Sequence, residues 1–186
     1  MPRFIISIFQ KPIYLRNMQI QVLNSQSNDI DTIFEFYDMA IAHQKKVFNK
    51  HWQGFSLDLV TQEVSENRQY KILVDGVVAC VFAVTFADKL IWGDRDQDSI
   101  YIHRIVTHPN FRGYAFVKEI IKWAKEFASE NNIKYIRMDT WADNEKLLEY
   151  YTACGFEYVG VVTLNESEGL PKHYEGISLS LFEIVV

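Results

Sequence analysis

The run Ile105-Val106-Thr107-His108-Pro109-Asn110-Phe111-Arg112-Gly113-Tyr114-Ala115-Phe116-Val117 holds the residues best suited to grip an anion. It reads as a strand, a turn closed by Pro109, and a short loop that leads straight into an amphipathic helix. The first N–H groups of a helix have no partner within it and lie at the positive end of its dipole. Small residues in front of them let the backbone close on a phosphate, and the Arg112 guanidinium can add a charge-assisted bond. The stretch Arg112–Val117 therefore reads as a cradle for a diphosphate. Neither Gly-x-Gly-x-x-Gly nor a Gly-Lys-Ser/Thr after four spacers occurs, which excludes the dinucleotide fingerprint and the P-loop.

The cradle needs a scaffold, and hydrophobic periodicity supplies one. Gln19–Leu23 alternates as a first strand, and Ile30–Gln44 has helical spacing through Ile33, Phe34, Tyr37 and Ile41. A second helix is expected over Leu57–Val64. Tyr70–Val74 and Val77–Phe86 form a hairpin about Asp75-Gly76, a turn dipeptide of the right kind. Ser99–Thr107 is the strand that feeds the cradle. Val117–Ser129 is the helix that leaves it, with Val117, Ile120, Ile121, Ala124, Phe127 and Ala128 on one stripe. Tyr135–Thr140 is a strand and Asn144–Cys154 a helix stopped by Gly155. Phe156–Leu164 and Tyr174–Ile184 close the chain as strands joined by the loop Asn165–Lys172. The order β-α-α-β-β-β-α-β-α-β-β implies an α/β (α+β mixed) fold, with a central mixed sheet flanked by helices on both faces.

The bulk properties agree with one ordinary domain. The chain has 186 residues, 48% of them hydrophobic and 23% charged, with a net charge of −5. That balance, with no long basic run, does not point to nucleic acid as a partner. No segment approaches the roughly 20 apolar residues of a membrane span. The two cysteines, Cys80 and Cys154, read as small buried hydrophobes, so a reducing cytoplasm is expected rather than a disulfide framework. Residues 1–17 lack the length and cleavage site of a signal peptide and read as an extension, or a mis-assigned start, before a domain over 18–186. The five histidines, His43, His51, His103, His108 and His173, show no ligand spacing, so no metal is expected.

Two motifs together resemble the GNAT superfamily of N-acetyltransferases. The strand–Pro–x–x–Arg–Gly–x–Ala–helix pattern is similar to that family's coenzyme-A motif. Asn144-Glu-Lys-Leu-Leu-Glu-Tyr-Tyr-Thr-Ala-Cys-Gly-Phe156 is similar to its second signature, an Asn before a helix that ends in Tyr-x-x-x-Gly-Phe. The chain departs from the usual pattern at Asn110, Ala115 and Val117. The resemblance implies acetyl-CoA as co-substrate and a primary amine of a small molecule or peptide as acceptor. It implies that the backbone of Ile105, Val106 and Thr107 pairs with the pantetheine arm. The amides of Arg112, Gly113, Tyr114, Ala115, Phe116 and Val117 would hold the diphosphate. Asn144 would contact the coenzyme arm, and Tyr151 would protonate the leaving thiolate.

A protonated acceptor amine must lose a proton, and His103 is the nearest candidate base in the sequence. Alternation along the strand places it on one face with Tyr101 and Ile105, and leaves Arg104 on the other face to find a carboxylate, with Asp139 in reach. Asn144 also reads as a helix cap, and Tyr151 as a member of the apolar stripe of Leu147, Leu148 and Cys154. Trp52, Phe55, Trp92 and Trp141 are expected either as acceptor-pocket walls or as core. Neither cysteine has an activating histidine nearby, so direct transfer in a ternary complex is expected over an acetyl-cysteine route. A coenzyme-A-binding sensor without turnover is the rival reading, and a homodimer is left open.

Overall fold

The computed structural model describes residues 18–48, 50–95, 97–164 and 176–186. Strand β1 (Ile20–Asn24) precedes helices α1 (Ile30–Val47) and α2 (Leu57–Ser65). The hairpin of β2 (Gln69–Val74) and β3 (Val77–Thr85) leads to a one-turn helix, α3 (Lys89–Trp92). Then come β4 (Ser99–Thr107), α4 (Phe116–Asn131), β5 (Tyr135–Trp141), α5 (Glu145–Cys154), β6 (Glu157–Thr163) and β7 (Ser178–Val185). The expected order holds, with α3 added; four residues are too few for a period to reveal it. The last strand starts at Ser178, after Gly176 and Ile177. The expectations for residues 1–17 and for the loop Asn165–Lys172 lie outside the described residues.

Local chemistry explains the elements. Asp75 and Gly76 both take positive φ, 50° and 83°, as a tight hairpin turn requires. The Ser56 hydroxyl caps α2 by accepting from the Leu59 N–H at 3.2 Å. Gly155 ends α5 in the left-handed conformation, φ 109°. Helix α4 buries Ile120, Ile121, Ala124 and Ala128 along one stripe, as its spacing predicts.

The sheet has seven strands in the order β1-β2-β3-β4-β5-β7-β6. Every neighbouring pair is antiparallel except β4 and β5, which run parallel. One face packs α4 and α5 over Ile100, Ile102, Met138 and Phe182. The other packs Ile33, Phe36 and Tyr37 of α1 and Val60 and Val64 of α2 over Val81 and Val106.

The parallel pair is short. It runs only from Ser99↔Tyr135 to Tyr101↔Arg137, after which β4 continues with β3 alone and β5 with β7 alone. Arg137 pins the closed end. Its guanidinium donates to Ser99 Oγ at 2.8 Å, to Tyr101 Oη at 3.3 Å and to the Arg95 carbonyl, and pairs with Glu183 at 2.6 Å. The rings of Trp92 and Tyr135 lie 4.6 and 4.4 Å from it.

A bulge then resets β4. Val81 faces Val106 but Ala83 faces His103, so β4 carries one extra residue, and Arg104 takes φ 51°. The alternation expected from sequence therefore fails past His103. Ile105 packs with the α4 side of the sheet, whereas Tyr101 belongs to the cluster on the opposite face. Arg104 turns toward α1 and α2 instead of Asp139. It pairs with the buried Glu63 carboxylate at 2.5 Å and donates to Tyr37 Oη at 3.2 Å. Gln69 completes the network by donating to Glu63 and to Tyr37.

Glu63 is 1% exposed, so its removal strands the Arg104 charge in the core. Glu63→Ala should cost about 3–5 kcal/mol, the usual loss when one partner of a buried pair is deleted. Chemical denaturation measures this, and a loss below about 1 kcal/mol would show that the pair carries little of the α1–α2 packing.

Candidate active site

Where β4 and β5 part, a cavity of about 840 Å³ opens between them. It reaches both faces of the sheet. Ile102, Ile105, Met138 and Tyr151 line it on the α4–α5 side, and His103, Arg104, Val106 and Asp139 on the other. The size fits a small-molecule site, which spans roughly 300–1,000 Å³. Beyond the Tyr101↔Arg137 pair, β4 has no strand on its β5 edge among the described residues. Alternate backbone groups of Ile105, Val106 and Thr107 are thus left to pair with an extended ligand lying in the gap.

The expected cradle lies beside this gap. Arg112 is exposed and lines the cavity. Gly113 takes φ 88° and Ala115 φ 55°, which bends the chain so that α4 starts without a side-chain cap. A Cβ on Gly113 would meet nothing within 4 Å, so the loop faces open space. Phe116 and Val117 bury their side chains in the core and can offer only backbone N–H groups. Tyr114 stacks on Phe116 with ring centroids 5.7 Å apart, which stiffens the loop. Backbone donors on a left-handed bend at a helix start suit an anion.

Helix α5 supplies two further residues. Asn144 Oδ1 accepts from the Leu147 N–H at 3.1 Å, so the cap reading holds, and the same residue lines the cavity. Tyr151 is half-buried, its ring edge-on to Phe156 and Phe182 at 6.3 and 5.5 Å. Burial first, and then the charges of Tyr150 and Asp139, push its phenol well above the usual value. No hydrogen bond contributes to that shift, so a protonated hydroxyl is presented to the cavity.

A second group of side chains lies on the α1–α2 side of the gap. His103 Nε2 is 3.1 Å from Thr85 Oγ1 and 3.8 Å from the Asp88 carboxylate. Burial, with the charges of Arg104 and Arg68, lowers the imidazole to about 3, which keeps it neutral. Asp139 moves the other way. Burial and the neighbouring Asp88 raise its carboxyl to about 7. The ligand-type atoms of Asp88, His103 and Asp139 all lie within 4.8 Å of one another, one from the start of α3, one from β4 and one from β5. Two carboxylates and an imidazole can bind a proton, an ammonium or a cation. Sequence spacing missed the group, because only the parallel register brings His103 and Asp139 together, each two residues past the last pair.

The aromatic candidates divide. Trp52, Phe55 and Trp141 line the cavity, whereas Trp92 is buried beneath Tyr101 and Arg137. Cys80 is buried and its thiol is pushed up to about 12, and Cys154 is half-buried. Among the described residues no helix is long and apolar enough to cross a membrane.

Comparison with known proteins gives the arrangement a context. The model of the acetyltransferase (GNAT) family matches residues 35–156. The chain is 31% identical over 113 residues to YesJ of Bacillus subtilis, described as an uncharacterized N-acetyltransferase, a match spanning 58% of this chain and 63% of that one. A GNAT-family acetyltransferase structure from Listeria monocytogenes superposes with a TM-score of 0.71 at 20% identity, over 90% of this chain and 95% of that one. The yncA structure from Salmonella typhimurium, solved with its cofactor acetyl-CoA, superposes with a TM-score of 0.62 at 13% identity, over 89% and 93%.

The raised carboxyl of Asp139 makes stability depend on pH. A raised pKa means that the contribution of Asp139 is fully present below the ordinary carboxylate value near 4 and is lost as pH rises through about 7. Asp139→Asn should therefore gain melting temperature over the wild type between about pH 4 and 7 and keep the advantage above. Melting curves across pH 4–9 measure it; an offset that does not change with pH would show that Asp139 titrates normally.

Proposed function

The chain belongs to the acetyltransferase (GNAT) family, and we propose that it moves an acetyl group from acetyl-CoA to a primary amine by direct attack in a ternary complex. One observation carries the reading. The gap between β4 and β5 has a phenol on one face and a carboxyl–imidazole group on the other, with the anion cradle at its rim. That is the placement an acyl transfer needs, because acid and base act on opposite sides of one carbonyl.

In this reading the amides of Arg112–Val117 and the Arg112 side chain take the diphosphate. The free edge of Ile105–Thr107 pairs with the pantetheine arm, Asn144 borders it, and the β4 amides polarise the thioester carbonyl. The amine nitrogen attacks the carbonyl carbon, and a C–N bond forms. The proton it sheds goes to the acceptor-side cluster. Asp139 is the better acceptor there, since its carboxyl titrates near neutrality, while neutral His103 borders it. Collapse of the tetrahedral intermediate breaks the C–S bond, and the thiolate takes the Tyr151 hydroxyl proton. A thiol pushed up to about 12 makes Cys80 a poor nucleophile, which favours direct transfer.

Two substitutions test the reading. Gly113→Asp places a carboxylate and a strained positive φ in the cradle. It should abolish the thermal stabilisation by acetyl-CoA while the unliganded protein still unfolds cooperatively. Tyr151→Phe keeps the ring and removes the proton. Its kcat should fall about 10²–10⁴-fold, the usual worth of general acid catalysis, with acetyl-CoA affinity little changed. Full turnover by Tyr151→Phe would exclude Tyr151 as the acid. Acetyl-CoA binding by the wild type with no turnover on any amine would favour a sensor instead.

A further inference from the structure

Resting on the acetyltransferase reading, we propose that Ile102 and Met138 restrict the donor to an acetyl group and reject longer acyl chains. They form the floor of the gap between β4 and β5, and an acyl chain that grows must enter a wedge that closes beneath it.

Strand register places the floor. The last parallel pair is Tyr101↔Arg137, so Ile102 and Met138 are the first residues past it on each strand. Both line the cavity, and both turn to the α4–α5 side, where Tyr151 also stands. Paired strands run roughly 4.8 Å apart. A carbon chain held between two walls needs about 3.5–4.0 Å to each of them. The gap is therefore too narrow for an alkyl chain at the closing pair and widens only beyond it. Its closed end cannot spread without breaking the bonds by which Arg137 holds Ser99, Tyr101 and Glu183.

The floor cannot sink either. Ile102 and Met138 are themselves buried. Val84 of β3 faces Ile102, Phe182 of β7 faces Met138, and the pair Ile100↔Ile136 lies just beneath, all of them fully buried. A close-packed interior takes extra methylenes only by forcing side chains out of their preferred rotamers. The Met138 thioether is the most pliable part of the floor, and it is hemmed in by these neighbours.

The course of the coenzyme brings the acyl group here. Held at the cradle after β4 and paired with Ile105–Thr107, it runs back along β4 toward the closing pair, with the acyl group at its far end. The Tyr151 ring meets Phe182 edge-on at 5.5 Å, and Phe182 faces Met138, so the phenol that serves the sulfur stands close to the floor. An acetyl methyl ends there. A further methylene would press on Ile102 and Met138, or turn across the sheet toward His103 and Asp139, where an apolar chain would strip polar groups of water.

Calorimetry on the full chain with acetyl-CoA, propionyl-CoA and butyryl-CoA reads the floor without an acceptor. The wild type should bind propionyl-CoA about tenfold more weakly than acetyl-CoA, and butyryl-CoA more weakly again, the usual worth of one methylene in an apolar site. Met138→Ala removes the thioether arm and should narrow the propionyl-to-acetyl ratio to about threefold or less. Ile102→Val removes a single methyl group, a core change mild enough to keep the fold, and should narrow the ratio in the same direction. A merely structural role would weaken the thioesters in parallel and leave the ratio as it is. Equal affinity of the wild type for the three thioesters would overturn the proposal, as would an unchanged ratio in Ile102→Val. Failure of the acetyltransferase reading shows separately, as the absence of thiol release from acetyl-CoA with every amine of a panel.

Discussion

Two parallel strands that pair for three residues and then separate are the constraint on which the site depends. A parallel sheet interior does not normally leave backbone groups unpaired, because each costs free energy when buried without a partner. Here the separation is held open from both sides. β3 keeps β4 in place as far as Thr107, and β7 keeps β5 in place as far as Trp141. From β5, Arg137 closes the fork below with bonds to Ser99 and Tyr101 of β4 and to Glu183 of β7, under two aromatic rings. A planar guanidinium with five donors can serve that many partners at once, where a lysine could not.

The fork also divides the electrostatics. On the α4–α5 side the surroundings are apolar, and burial keeps the Tyr151 phenol protonated. On the α1–α2 side the bulge at Arg104 brings a cation, a carboxylate on α2 and the His103 imidazole to one face. Burial first, and then the Arg104 charge, depresses His103, while burial and the neighbouring Asp88 hold Asp139 near neutrality. Without the bulge, Arg104 would point to the α4 side and the imidazole would lose the neighbour that helps keep it neutral. One extra residue in β4 therefore sets the packing of α2 and brings a cation beside the buried His103.

Much of this was legible in the sequence, for physical reasons that differ by element. Asp75-Gly76, the stripe of α4 and Gly155 are local signals, and each element forms where its signal lies. The positions of the loop Arg112–Val117 before α4 and of the helix carrying Asn144 and Tyr151 were equally readable, since each loop and helix start is contiguous in the chain. The bulge was not. Strict alternation put Ile105 with His103 and sent Arg104 toward Asp139, and nothing local announces an inserted residue. The places of Arg137, Asp88 and Asp139 at the fork were missed because their partners there come from distant parts of the chain. Trp92 and Trp141 look alike in sequence, and only the register of α3 against Tyr101 makes one core and the other wall.

The chemistry turns on where the thioester lies. A crystal structure of the protein with a non-reactive thioether analogue of acetyl-CoA tests this most directly. The pantetheine arm should lie between β4 and β5, bonded to the backbone of Ile105–Thr107, with the sulfur within about 3.5 Å of the Tyr151 hydroxyl. The acetyl carbonyl should point toward the β4 amides, and its carbon should face Asp139 across the fork. An analogue bound outside the fork, or one whose sulfur lies on the Asp139 side away from Tyr151, would contradict it.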